Sequence, residues 1–196
     1  MPLPIPTDAP FSDTQRMWLK GFFAGLGLSA PDNGSTDVFA PTSTGEPLAI
    51  LWGSQTGNAE AFAKQLAKKA KAAGLTPTIH DMSTVDRATL SALGNVAILT
   101  STYGDGEPPD NAAALHSFVM KEDQMLLAGV RYSVFALGDS NYPAFCQCGR
   151  DFDTRLEQLG ATRVSPRVEA DCDYDTPFNH WSENLLGALA GEPAAA

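Results

Sequence analysis

From Leu48 onward the chain alternates between short, nearly continuous apolar runs and segments whose apolar residues recur every three or four positions. The runs are "LAILW" (48–52), "TPTIH" (76–80), "NVAILTS" (95–101), "RYSVFALG" (131–138) and "TRVSPRVEA" (162–170), and they read as strands. Helical spacing fits 59–73, 86–93, 111–121, 148–159 and 177–190. A strand that is apolar on both faces must be covered on both. Five such units with right-handed crossovers therefore predict an α/β domain over 48–190, a doubly wound parallel sheet of five strands in three layers. In sheets of this kind a ligand sits beyond the carboxyl ends of the strands, where the strand order reverses.

The first 47 residues follow another pattern. "MPLPIPTDAP" is too proline-rich for a helix, but Ser12 is placed to cap one running from Asp13 to about Leu28. Trp18, Leu19, Phe22, Phe23 and Leu26 form an apolar stripe on it, to be covered either by its own domain or by another chain, self-association included. Residues 31–47, "PDNGSTDVFAPTSTGEP", read as a linker, and 191–196 as a tail or the start of another linker.

Charge narrows the partners. Thirteen basic against 23 acidic residues give a formal net charge of −10, which disfavours nucleic acid and anionic membranes and favours a basic protein surface. No stretch has the roughly 18 uninterrupted apolar residues of a membrane-spanning helix. Asp13, Arg16 and Lys20 spoil the N-terminus as a secretion signal, so a cytoplasmic protein is expected. Cys146, Cys148 and Cys172 lack the spacing of a disulfide framework or a zinc site, and His80, His116 and His180 are too scattered to hold a metal. Cys146 and Cys148 precede a predicted helix, a position that favours a thiolate.

Three loops leave strand ends with unusual chemistry: "GSQTGNAE" (53–60), "STYGDGEPPDN" (101–111) and "LGDSNYPAFC" (137–146). The first opens a helix, so its backbone N–H groups, with Ser54, Thr56 and Asn58, make a cradle for a phosphate. It has neither the lysine of a triphosphate-binding loop nor a GxGxxG pattern, which leaves a phosphate monoester as the better match. The other two loops each offer a tyrosine, Tyr103 and Tyr142, suited to sandwiching a flat aromatic ligand. No nucleophile stands beside a base, so no catalytic residue is assigned.

A phosphate at one end and an aromatic ring system at the other describe flavin mononucleotide. The three stretches "GSQTGNAE", "STYGDGEPPDNA" and "LGDSNYPAFCQCGRDFD" together resemble the flavodoxin-like FMN domain of the diflavin reductases over residues 48 to about 188, with strand order 2-1-3-4-5. "FCQ" and "GRDFD" look closest to the sulfite reductase flavoproteins, and "QRMWLKGFFAGL" is similar to the segment that precedes their FMN domain. Cys146 favours that branch, since related microsomal reductases are expected to carry asparagine there.

The resemblance implies that Ser54, Gln55, Thr56, Gly57 and Asn58 hold the phosphate and that Tyr103 and Tyr142 flank the isoalloxazine. Thr102, Gly104, Leu137, Gly138 and Asn141 would surround ring and ribityl chain, with Ser101, Gly106, Asp139, Phe145 and Cys146 completing the shell. Asp171, after the fifth strand, matches an acidic position near the flavin. Gly104 would permit a peptide rotation toward the flavin N5. The implied function is one-electron transfer from an FAD/NADPH reductase domain to a metal-centred acceptor such as the haem-containing sulfite reductase subunit. Such reductases continue into a domain binding FAD and NADPH, which this chain alone is not expected to supply.

The protein's lever would be electrostatic. One carboxylate about 8 Å from the flavin, at an effective dielectric near 20, raises the reduced anion by about 2 kcal/mol, on the order of 90 mV for one electron. Asp105, Glu107, Asp110 and Asp139 are placed to act so, or to form a solvated rim that steers a basic partner. Two rivals belong to other classes of protein, and a stand-alone quinone-reducing flavoenzyme is disfavoured because the sequence offers no evident NADPH site. A phospho-acceptor receiver domain would need an acidic cluster after the first strand, where this chain has "GSQTG". A flavin-free interaction module would use only the acidic surface and the N-terminal helix.

Overall fold

The computed structural model describes residues 45–191. The predicted N-terminal helix, the linker up to residue 44 and the tail from residue 192 lie outside the described residues. Five helices and six strands follow one another as β1 (Pro47–Gly53), α1 (Asn58–Ala72), β2 (Thr76–Asp81), α2 (Arg87–Ala92), β3 (Asn95–Ser101), α3 (Ala113–Lys121), β4 (Arg131–Gly138), α4 (Gln147–Gln158), β5 (Thr162–Arg163), β6 (Val168–Asp171) and α5 (Asp175–Leu189). All pairings are parallel, in the order 2-1-3-4-5, with β6 continuing the fifth position beside β4.

Strand periodicity assigns the two core layers. Leu48 and Ile50, Ala97 and Leu99, and Phe135 and Leu137 face one side, where α1 and α5 supply Phe62, Leu66, Phe178, Trp181 and Leu185. Ala49 and Leu51, Val96 and Ile98, and Tyr132 and Val134 face the other, against Leu90, Leu115, Val119, Phe152 and Leu156 from α2, α3 and α4. The polar ends of two large buried aromatic side chains are paired, whereas the buried Asn95 Oδ1 has no partner among the described residues. Trp181 Nε1 donates to Ser133 Oγ at 2.7 Å, and Tyr132 Oη donates to the Asp153 carbonyl at 2.7 Å.

The fifth strand differs from its prediction: the run 162–170 is two short strands, not one. Tyr132 pairs with Arg163 and Phe135 with Val168, so five edge residues are accommodated where β4 advances three. Pro166 lies in the excess, where its missing N–H removes a rung of the ladder. An ionic chain ties down this irregular edge. Glu169 pairs with Arg150 and Arg167, Arg167 also reaches Asp153, and Arg163 joins Asp153 to Glu157.

Candidate functional site

The strand ends Gly53, Ser101 and Gly138 open onto one another, and a cavity of about 470 Å³ lies between the loops that leave them. That volume is within the roughly 300–1,000 Å³ of small-ligand sites. Gln55, Thr56, Asn58, Ser101, Thr102, Tyr103, Gly104, Leu137, Gly138, Asp139, Tyr142, Phe145 and Cys146 line it, joined by Ala144 and Tyr174. A second, more open cleft of about 420 Å³ runs along the edge strand from Ala161 to Pro166 and contains no predicted site residue.

At one end the loop between β1 and α1 presents backbone donors. Ser54 Oγ accepts from the N–H of Gly57 at 2.9 Å and of Ala59 at 3.3 Å, and the N–H of Ser54 donates to Asn111 Oδ1 at 3.0 Å. Among the described residues, the N–H groups of Gln55, Thr56 and Asn58 find no partner within the protein. Gly57 holds a φ of 87°, the left-handed conformation that turns the loop into the helix. Ser54 and Gly57 therefore shape the cradle from behind without lining the cavity. Gln55 also does two things: its side chain exchanges hydrogen bonds with Asp110, at 3.1 Å to the carboxylate and 3.2 Å from the backbone N–H. A free anion-binding turn, with no cation in it, fits a phosphate monoester.

At the other end the two tyrosines are solvent-facing, Tyr103 58% and Tyr142 59% exposed. Exposed aromatic rings beside an apolar floor are suited to covering a flat ligand. Tyr103 is held by a tight turn: its N–H donates to the Glu107 carbonyl at 2.9 Å, and the N–H of Glu107 returns to the Tyr103 carbonyl at 2.8 Å. Gly104 at φ 54° and Gly106 at φ 121° close that turn. Gly106 lies behind the cavity, where a Cβ would stand 3.0 Å from Ala144 Cβ.

Leu137 and Gly138 make the floor. Tyr174 donates from its hydroxyl to the Gly138 carbonyl at 3.1 Å, and its ring meets Phe62 edge-on at 6.3 Å, which fixes it beside the cavity. Burial, and the acidic residues around it, push its phenol upward. Tyr174 and Ala144 are lining residues that the sequence reading did not include. Asn141 and Asp171 do not line the cavity. Asn141 bonds to Asp139 Oδ1 through its backbone N–H and its amide, at 2.9 and 2.7 Å. Asp171 accepts from the hydroxyl and backbone N–H of Ser140, which hold its carboxyl below the usual range. Both buttress the 139–142 loop.

The cysteines require a correction. Cys148 is inside α4 rather than ahead of it, and Cys146 is the residue before the helix, in the left-handed conformation at φ 56°. Both are fully buried, and burial pushes each thiol up to about 12, the opposite of the expected thiolate. Cys146 Sγ donates to the Ala136 carbonyl at 3.5 Å, and Cys148 Sγ meets Thr100 Oγ1 at 3.3 Å. Native protein at pH 8 is therefore expected to react with a thiol reagent at exposed Cys172, while Cys146 and Cys148 react only after unfolding; peptide mapping by mass spectrometry checks it. Because both folded values lie above the unfolded value of 9.0, the stability their burial provides is intact below about pH 9 and is lost as pH rises toward 12.

The flavodoxin family profile matches residues 50–181, and the chain belongs to that family, whose members bind FMN. The chain is 39% identical over 199 residues to the sulfite reductase (NADPH) flavoprotein alpha-component of Bacillus subtilis, covering 94% of this chain and 33% of that protein. It is 40% identical over 186 residues to the corresponding component of Vibrio cholerae, covering 93% and 30%. The chain thus spans about a third of the length of these curated relatives. A solved flavodoxin from Streptococcus pneumonia superposes with a TM-score of 0.65 at 29% identity, over 74% of this chain and 98% of that one. A flavodoxin variant from Pseudomonas aeruginosa gives 0.63 at 29% identity, over 73% and 98%.

Proposed function

We propose that this domain holds one FMN in the cavity between β1, β3 and β4 and relays single electrons through it. The donor in this reading is an FAD/NADPH reductase domain, and the acceptor is a metal-centred protein, the haem-containing sulfite reductase subunit. The relatives named above support that choice, and the domain would work with them in the cytoplasm, where its three thiols stay free. The observation that carries the reading is one cavity with unpartnered backbone donors at one end and two exposed tyrosines at the other. Bound FMN supplies reversible one-electron chemistry.

The chain's own residues bind, orient and tune. Gln55, Thr56 and Asn58 offer N–H groups to the phosphate, and Tyr103 and Tyr142 cover the ring. Asp105, Glu107 and Asp110 are exposed around the rim, where they raise the energy of added negative charge and attract a basic surface. No side chain is required as an acid or base. The receiver and flavin-free readings lack a counterpart of this cavity chemistry. The segment preceding β1 is proposed as a separate docking segment and linker.

The domain is expected to take up FMN in a one-to-one titration with quenching of flavin fluorescence. Once photoreduced, it should reduce the haem subunit in a stopped-flow mixing experiment. The rate should fall as ionic strength rises, because steering acts over a Debye length of about 10 Å at 0.1 M salt. A protein that binds no flavin sinks the reading; one that binds FMN but reduces no haem acceptor sinks the choice of partner.

A further inference from the structure

We propose that Asn111, which does not line the cavity, positions the phosphate loop and thereby sets the preference for a phosphorylated over an unphosphorylated flavin. The proposal rests on the reading of residues 53–59 as a phosphate cradle. Asn111 leads into α3, and its side-chain amide joins three elements: Oδ1 accepts from the N–H of Ser54 at 3.0 Å, while Nδ2 donates to the Trp52 carbonyl at 3.2 Å and to Asp81 Oδ1 at 3.1 Å. The amide's orientation is determined by these partners. A backbone N–H can only donate and a carbonyl can only accept, so oxygen and nitrogen cannot be exchanged.

The contact is part-buried and spans 57 residues of sequence. Through it, the end of β2 bears on the loop after β1, because Asp81 is itself fixed by the N–H of Ser83 at 2.8 Å. Ser54 then passes the constraint on, its hydroxyl gathering the N–H groups of Gly57 and Ala59. The N–H groups of Gln55, Thr56 and Asn58 are left without a partner among the described residues. Their placement follows that of Ser54, and Ser54 is held by Asn111. The neighbouring Gln55–Asp110 contact ties the same two loops but is exposed, so water competes for it.

A flavin without a phosphate lacks the group this loop is read to hold, so its affinity reports mainly on the ring end. The test is therefore a ratio. Asn111→Ala is compared with the wild-type domain by fluorescence titration against FMN and against riboflavin, with circular dichroism confirming the fold. The Kd for FMN is expected to rise about tenfold or more, and that for riboflavin to change less than about threefold. Should the alanine variant not fold, Asn111→Ser gives the same comparison with a smaller loss of polarity. Equal weakening of both flavins would mean a general structural role and overturn the proposal, as would an unchanged FMN affinity. A wild-type domain that binds neither flavin is a different outcome: it overturns the electron-carrier reading, and this proposal with it.

Discussion

Tyr142→Ala is expected to weaken FMN binding by roughly 30- to 150-fold, equivalent to about 2–3 kcal/mol. The ring is 59% exposed, at the mouth of a cavity whose floor is Leu137 and Gly138. Covering a flavin would take much of that surface out of water, at about 25 cal/mol per Å² of apolar area, and offset stacking adds about 0.5–1.5 kcal/mol. The loop itself needs no rebuilding, because the N–H of Tyr142 already donates to the Asp139 carbonyl at 3.1 Å and Asn141 anchors on Asp139. Loss of the side chain should therefore reach the ligand and leave the fold. Tyr142→Phe keeps the ring and should bind within a few-fold of wild type. A fluorescence titration in which alanine and phenylalanine behave alike would remove Tyr142 from the stacking role.

The sheet was legible because its cause is local. Runs such as 95–101 are apolar on both faces, and only a strand with helices on both sides can bury them, as Val96 and Ile98 on one side and Ala97 and Leu99 on the other do. The failures came where a distant partner decides. "TRVSPRVEA" alternates like a strand, but two extra residues must be accommodated against β4, and register is not visible along a single run. Cys146 and Cys148 were placed by proximity to a helix start, which says nothing about burial; the sheet and α4 close over both thiols.

The site divides in the same way. Most lining residues sit on the loops marked by glycine, serine and tyrosine, where sequence carries its own signal. Asn111 and Tyr174 act through partners far along the chain, Ser54 and Gly138 respectively, and no spacing announces them. "PPDN" did mark a loop end, yet its asparagine looked like an ordinary helix start. The tyrosine in "DCDYD" falls in the turn before α5, outside the three loops that drew attention.

Two glycine-to-alanine replacements on the helices are expected to act in opposite directions. In a helix interior, alanine is favoured over glycine by about 1 kcal/mol, so propensity alone predicts stabilisation at both sites. At Gly187 in α5 a Cβ meets nothing within 4 Å, and stability should rise by about 0.5–1 kcal/mol. At Gly149 in α4 it would stand 2.3 Å from Ala136 Cβ and 3.3 Å from Ala136 Cα, on a central strand that cannot yield. Ordinary carbon contacts are about 3.5–4.0 Å, so α4 must lift from the sheet. Overpacking of this kind costs about 1–3 kcal/mol or more and outweighs the propensity gain. Phe145 and Cys146 immediately precede α4 and line the cavity, so Gly149→Ala should lose FMN affinity along with stability. Urea midpoints at constant slope measure the first effect and a flavin titration the second. If both variants moved the midpoint in the same direction, close packing of α4 on β4 would not be what holds Phe145 and Cys146 at the cavity.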